Sequence, residues 1–149
     1  SAVAQIRPEM HAGLPLSTVL RQRAAQQLSG TRVELDVVSG CDGVRAAPEA
    51  LHQLCRILEE CISNALLHAS PSRIVVRIWT AEATFRMRVE DDGPGFGGIA
   101  PEAGTDGNGI RGMRERARGL GGTLHVDRTA PGGCVALSIP LRTLGKRHE

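Results

Sequence analysis

The 149 residues suit a single domain with a real core and leave too little chain for two. Its 18 basic and 16 acidic residues are spread along the sequence for a net charge of +2, which excludes the sustained basic stripe of a nucleic-acid-binding surface. With 41% apolar and 23% charged residues the composition is that of a soluble globular protein, and no apolar run approaches the roughly 18 residues that a membrane span needs.

Finer features narrow this further. The aromatic residues are Phe85, Phe96 and Trp79, so the core must be mostly aliphatic. Lys146 is the single lysine, which makes arginine the expected cation beside any anionic ligand. Cys41, Cys55, Cys61 and Cys134 have neither C-x-x-C spacing nor zinc-like histidine neighbours and read as reduced thiols of a cytosolic protein. The opening Ser1-Ala2-Val3-Ala4 has no signal-peptide layout and reads as the start of a segment cut from a longer protein.

Residues 1–30 are expected to be an entry linker followed by a first helix, from Ser17 as N-cap to about Leu28, with Ser29-Gly30 ending it. From Thr31 to Val38 the apolar Val33, Leu35 and Val37 alternate with Arg32, Glu34 and Asp36, the period of a half-buried strand. Pro48 suits the first turn of a long helix reaching about Ala69, before Ser70-Pro71. Strands at Arg73 to Thr80 and Thr84 to Asp91 are close enough to form a hairpin.

Between Asp92 and Gly109 seven glycines and two prolines fall in eighteen residues, too long for an ordinary connection and typical of a functional loop. A helix from about Ile110 to Leu120 follows, then strands near Thr123 to Arg128 and Cys134 to Pro140 around a Pro131-Gly132-Gly133 turn. The tail, residues 142–149, is expected to be disordered. This alternation implies an α/β two-layer sandwich, with helices on one face of a mixed, mostly antiparallel sheet over residues 31–141.

Three places carry chemistry. On the long helix, Leu51, Leu54, Cys55, Leu58, Cys61, Ile62 and Ala65 form an apolar stripe, and Glu60, Asn64 and His68 stack in successive turns along its border. An amide oxygen at Asn64 can bind a metal while Glu60 polarises a water or hydroxyl. On the second hairpin strand Asp91 shares the core-facing side with Phe85, Met87 and Val89, whereas Asp92 points the other way. Asp91 therefore needs a partner, and Gly93 and Gly95 would let a flat ligand with an amino group come close enough to supply one. Gly107-Asn108-Gly109 stands before a helix and Gly112 inside its first turn, a junction whose free N–H groups suit phosphate. Each signal alone has a plainer reading: a solvated helix face, an aspartate capping its own loop, a glycine-rich helix start. Their order and spacing in one small domain describe a nucleotide site with a metal end, a base end and a phosphate cover.

In that set, Glu60-Cys61-Ile62-Ser63-Asn64-Ala65-Leu66-Leu67-His68-Ala69 resembles the N box of the gyrase, heat-shock chaperone, histidine kinase and MutL superfamily. Asp91-Asp92-Gly93-Pro94-Gly95-Phe96 and Gly107-Asn108-Gly109-Ile110-Arg111-Gly112-Met113-Arg114-Glu115-Arg116 resemble its two glycine boxes. The short lid, the lack of a phenylalanine box and the Gly112 to Arg116 run resemble the nitrate-sensor and thermosensor branch of sensor histidine kinases. The resemblance implies a Bergerat ATP-binding fold and a Mg²⁺-ATP site. In it Asn64 ligates Mg²⁺, Glu60 is the catalytic acidic residue and Asp91 holds the adenine amino group. His68 lies near phosphate or ribose, Gly93 and Gly95 shape the adenine pocket, and Gly107, Gly109 and Gly112 serve lid and phosphates.

The implied reaction is transfer of the γ-phosphoryl to a histidine on a dimerisation domain of the parent bacterial kinase, then relay to a response-regulator aspartate. Such a catalytic portion would be cytoplasmic and without direct membrane contact. His11, His52, His68 and His125 lack the acidic neighbour this branch uses at its acceptor, and His148-Glu149 falls in the tail expected to be disordered, so the isolated chain is not expected to phosphorylate itself efficiently. Leu67 departs from the usual Lys or Arg, and Cys134 from the usual Gly-Gly-Thr. The alternatives left open are an ATP-binding regulator or pseudokinase, such as an anti-sigma-factor-like serine kinase, and a non-nucleotide α/β binding domain.

Overall fold

A computed structural model describes residues 13–41, 43–93, 107–127 and 131–145. The elements in chain order are α1 (Leu16–Leu28), β1 (Glu34–Gly40), α2 (Pro48–His68), β2 (Arg73–Ala81), β3 (Thr84–Asp91), α3 (Gly107–Gly119), β4 (Thr123–Val126), β5 (Cys134–Pro140) and α4 (Leu141–Leu144). The five strands form one sheet in the order β1-β2-β3-β5-β4. β1 runs parallel to β2 across the connection that contains α2, and the other three pairings are antiparallel. The mixed, mostly antiparallel sheet expected from the alternation of elements is the one observed.

Strand alternation builds the core. Ile74, Val76 and Ile78 of β2, Phe85, Met87 and Val89 of β3, and Val135, Leu137 and Ile139 of β5 are all buried. They join Leu51, Leu54, Leu58 and Ile62 of α2, Leu16 and Leu20 of α1, and Ile110 and Met113 of α3 in a single apolar cluster. The core is aliphatic apart from Phe85, as the scarcity of aromatics requires. Arg73, Arg77, Arg86 and Arg88 fall on the other register face, where Arg77 and Arg88 pair with Glu90, and Arg73 with Asp36.

Several boundaries differ from expectation, each for a local reason. Ser17 is not the cap of α1: the helix begins at Leu16 after Pro15, without a side-chain cap, and Ser17 is buried inside it. Leu16 is fully buried and its N–H donates to Val44 O at 2.7 Å, so packing starts the helix one residue before the polar signal. β1 begins at Glu34 because Thr31 folds into a turn, its hydroxyl donating to Leu28 O and accepting from Val33 N. The strand then pairs from Glu34 opposite Arg73, where β2 itself begins.

The hairpin between β2 and β3 closes on two residues, Glu82 and Ala83, both with positive φ. At the far end, 141–144 form a helical turn where disorder is expected from residue 142. Leu144 is buried, its carbonyl accepts from Ala47 N at 2.7 Å, and the Thr143 hydroxyl lies 2.7 Å from Leu120 O. One apolar residue in a polar tail is enough to dock it. Residues 146–149 lie outside the described residues.

Candidate active site

Two constellations stand along the C-terminal half of α2. The first is where α2 meets α3. Glu60 and Asn64 lie four apart, both are half-buried, and neither side chain makes a hydrogen bond or ion pair among the described residues. Above them is Gly109, where a methyl group would stand 3.3 Å from Glu60 Oε1 and 3.6 Å from the Asn64 amide. The absence of a side chain thus lets the first turn of α3 close over the polar ridge. Gly107 and Gly109 are themselves in that first turn, so the glycine pair begins the helix instead of preceding it.

Beneath this ridge the packing is apolar and buried. Cys61 and Met113 bring their sulfurs to 3.4 Å, and burial, with the Glu60 charge adding to it, pushes the Cys61 thiol up to about 12. Arg116 ties the far end of α3 to Gln53 of α2 at 2.7 Å. The two helices are therefore tied to each other beside Glu60, at Cys61, and two turns before it, at Gln53.

The second constellation surrounds Asp91 at the end of β3. Its Oδ1 accepts from Gly93 N at 2.8 Å and from Gly133 N at 3.3 Å, and its own N–H donates to Gly133 O at 2.9 Å. Asp91 does cap its own turn, which is the plainer of its two readings, but with one oxygen. Oδ2 takes no hydrogen bond among the described residues and can accept one from a ligand. A side chain on Gly93 would strike Ala69 at the end of α2, and one on Gly132 or Gly133 would strike Asp91 itself. These three glycines make a cradle in which backbone, not side chains, surrounds the carboxylate.

Asp92 behaves as the strand face dictates. It is exposed and accepts from Ser72 N at 2.8 Å, Arg73 N at 3.1 Å and the Ser72 hydroxyl. The Ser72 hydroxyl first, and then the backbone N–H groups, hold its carboxyl below the usual range.

Of the residues singled out in the sequence, Glu60, Asn64 and Gly109 meet, and Asp91 and Gly93 meet. His68 is exposed in the last turn of α2. A methyl group at Gly112 would meet nothing within 4 Å among the described residues. Gly95 and residues 94–106 lie outside the described residues. In the sequence Gly132-Gly133 reads as a turn opening a strand similar to the family's last ones, with Cys134 where a hydroxyl usually helps hold the adenine site, but its grip on Asp91 is not visible there. The signal that could have found it is a doubled glycine opening a strand that pairs with the Asp91 strand.

The arrangement offers an acceptor oxygen at Asp91, an amide oxygen at Asn64, a carboxylate at Glu60 and a helix N-terminus. These are complementary to an amino-bearing base, a divalent cation, a proton or hydroxyl, and phosphate. Among the described residues no three His, Cys, Asp or Glu side chains converge as a metal cage. A hard cation held by one amide oxygen, with phosphate and water completing its shell, fits this donor set better than a structural metal would.

Comparison with known proteins gives one answer. The family described as histidine kinase-, DNA gyrase B-, and HSP90-like ATPase matches residues 49–143. The sensor histidine kinase YxjM of Bacillus subtilis is 31% identical over 125 residues, which cover 83% of this chain and 29% of YxjM. The sensor histidine kinase MctS of Rhizobium johnstonii is 29% identical over 138 residues, covering 91% of this chain and 30% of MctS. The chain thus spans less than a third of the length of these relatives. The blue-light activated histidine kinase of Erythrobacter litoralis EL346 superposes with a TM-score of 0.68 at 28% identity, over 85% of this chain and 42% of that one. The nucleotide-free catalytic domain of histidine kinase ThkA matches at the level of fold, with a TM-score of 0.68 at 16% identity over 85% of this chain and 94% of that domain. The chain belongs to the histidine kinase-, DNA gyrase B-, and HSP90-like ATPase family, and its relatives and structural neighbours are sensor histidine kinases and their catalytic domains.

Proposed function

We propose that this domain holds Mg²⁺-ATP between the Asp91 cradle and the start of α3 and passes its γ-phosphoryl to a histidine on a separate dimerisation and phosphoacceptor domain of the same parent kinase. Asp91 Oδ2 accepts the adenine amino group, and Gly93 keeps the backbone low enough for the ring to lie against it. The first turn of α3, with Gly107 and Gly109, presents N–H groups to the phosphates, and His68 stands near them at the end of α2. Asn64 supplies a protein oxygen to Mg²⁺, whose role when bound is to neutralise phosphate charge. Glu60 accepts the N–H of the incoming imidazole, which fixes the tautomer and makes the other ring nitrogen the nucleophile. A nitrogen to phosphorus bond forms, the bond from the γ-phosphorus to the β,γ-bridging oxygen breaks, and ADP leaves; the phosphoryl group is then relayed to a response-regulator aspartate.

The single observation that supports this reading is the pairing of Glu60 and Asn64. A carboxylate and an amide lie half-buried and uncommitted under a glycine that opens a helix, four residues apart on a helix whose other face is core. A solvated helix face has no need of the glycine, and a structural polar pair would bond to something. The test is titration of ATP into the domain with and without Mg²⁺, followed by transfer to a supplied phosphoacceptor domain. Tight binding that ignores Mg²⁺, or transfer that does not depend on Glu60, would overturn it.

A further inference from the structure

The Asp91 turn rests on the helix that carries Asn64, and the point of contact is Ala69. This residue closes α2, its N–H donating to Ala65 O at 2.9 Å. A methyl group on Gly93 would stand 2.5 Å from Ala69 Cβ, 2.8 Å from Ala69 O and 2.9 Å from Asp91 Oδ1, all closer than side-chain carbons approach other atoms. The Gly93 backbone is therefore seated directly on the Ala69 methyl and carbonyl. Gly93 N in turn donates to Asp91 Oδ1 at 2.8 Å, so whatever moves Gly93 moves the carboxylate.

The connection from α2 to β2 has little room to yield. Ser70 turns the chain sharply with a φ of 43°, and Pro71 after it is buried. Ser72 N then donates to Asp92 Oδ1 at 2.8 Å, and Asp92 N donates to Arg73 O at 3.3 Å. Residues 69–73 are thus pinned against 91–93 twice, by packing at Ala69 and by hydrogen bonds at Ser72 and Arg73. A side chain larger than methyl at position 69 has to displace Gly93, because the chain that bears it is held in place beyond.

We infer that Ala69 is a positioning residue for base selection: its methyl group sets how far the Asp91 turn stands from α2, and so aims the carboxylate that discriminates between nucleobases. Asn64 lies five residues earlier on the same helix, about 7.5 Å along its axis, so the same contact fixes the span between the base end and the metal end of the site. This role rests on the reading of Asp91 as acceptor of the adenine amino group and adds what holds that acceptor in place. Ala69 itself touches no reacting atom. A residue that served packing alone would change stability when enlarged, yet leave the preferred base as it was.

The experiment compares calorimetric affinities for ATP and for inosine triphosphate, which has a carbonyl oxygen where adenine has its amino group, in the presence of Mg²⁺. Wild-type protein should favour ATP at least tenfold, since the inosine oxygen would face an acceptor instead of donating to it. Ala69→Val and Gly93→Ala should each bring the preference down to within about threefold, because both force Gly93 and Ala69 apart. Adding Ala69→Gly to Gly93→Ala removes the closest of the clashes and should restore at least about threefold of the lost preference, the coupling expected of two residues in contact. An unchanged preference in folded Ala69→Val, or a double variant no more selective than Gly93→Ala, would overturn the positioning role while leaving Asp91 as the base acceptor. Should Ala69→Val fail to fold, the double variant decides alone. A wild type that binds the two nucleotides equally would instead remove Asp91 from the base end, and the role of Ala69 would fall with it.

Discussion

Asp91 and Gly133, forty-two residues apart, hold each other twice: Gly133 N donates to Asp91 Oδ1 at 3.3 Å, and Asp91 N donates to Gly133 O at 2.9 Å. The pair locks the end of β3 to the start of β5 and aims the carboxylate. Asp91→Asn keeps the shape but exchanges an acceptor for a donor at the position proposed for the adenine amino group, leaving a buried mismatch. ATP affinity should fall at least tenfold, on the order of 1.4 kcal/mol. Gly133→Ala should do the same by another route, because its methyl group would displace the Asp91 side chain. Calorimetry on both variants checks this, and wild-type affinity in Asp91→Asn would remove the residue from the site.

Asp92, one residue along, serves as the opposite-face control and carries a pH signature. Its folded pKa lies below the ordinary value of 3.8, chiefly through the Ser72 hydroxyl and the Arg73 N–H. A depressed carboxylate pKa stabilises the fold above the unfolded value, and that contribution disappears as pH falls through the lower folded value. Asp92→Asn should therefore lower Tm near neutrality by a margin that closes as the pH is taken below the ordinary carboxylate range, with ATP affinity nearly unchanged. Thermal melts across that range provide the measurement. A margin that persists at the acid end would show that shape, not charge, holds this corner, and an affinity loss equal to that of Asp91→Asn would undo the face assignment.

The elements legible in the sequence were those whose signal is periodic or terminal. The alternation of Phe85, Met87 and Val89 placed Asp91 on the inner face of β3, and the structure agrees. Pro48 marked the start of α2 to the residue. What escaped was decided by tertiary contact. The start of α1 is set by Leu16 docking under Val44, and the helical turn at 141–144 by Leu144 entering the core. Of the candidate site, helix and strand periods are enough to put Glu60 and Asn64 on one ridge and Asp91 on the core-facing side of β3, while the roles expected of them come from the resemblance. The second grip on Asp91 could not, since nothing in local sequence shows that β5 returns beside β3 with Gly133 level with Asp91.

The hairpin joining β2 and β3 offers a test of the fold that is independent of the site. Glu82 and Ala83 have φ of 53° and 60°, the left-handed pair that a two-residue turn of this hand demands and that Asn-Gly supplies most readily. Ala83 bears a side chain where its backbone prefers none. Ala83→Gly relieves that strain while adding freedom to the unfolded chain, and the net should be a gain of roughly 0.5 to 1 kcal/mol. Denaturant unfolding should show a raised midpoint with an unchanged slope, and ATP affinity should not move. A lower midpoint would mean that the turn is already relaxed.

Glu60 and Asn64 provide the test that separates binding from chemistry, since they share one ridge and one glycine neighbour yet are assigned different work. Asn64→Ala removes the proposed Mg²⁺ oxygen, so it should weaken the Mg²⁺-dependent part of ATP binding and slow transfer with it. Glu60→Gln keeps size and hydrogen-bonding capacity but loses the charge proposed to orient the imidazole. It should leave ATP affinity within about threefold, less than 0.7 kcal/mol, while slowing transfer to a supplied phosphoacceptor domain by on the order of a hundredfold. Neither change should cost much folding stability, because both side chains are uncommitted among the described residues, and exposed or half-exposed sites of that kind move stability by about 0.5 kcal/mol. Stability is thus a control that guards against misreading a folding defect as a catalytic one. The decisive measurement is paired: calorimetric titration of each variant with and without Mg²⁺, then the transfer rate at saturating ATP. Wild-type transfer by Glu60→Gln together with normal Mg²⁺-ATP binding by Asn64→Ala would make the ridge a structural feature and return the search for the reacting groups to the rest of α2 and α3.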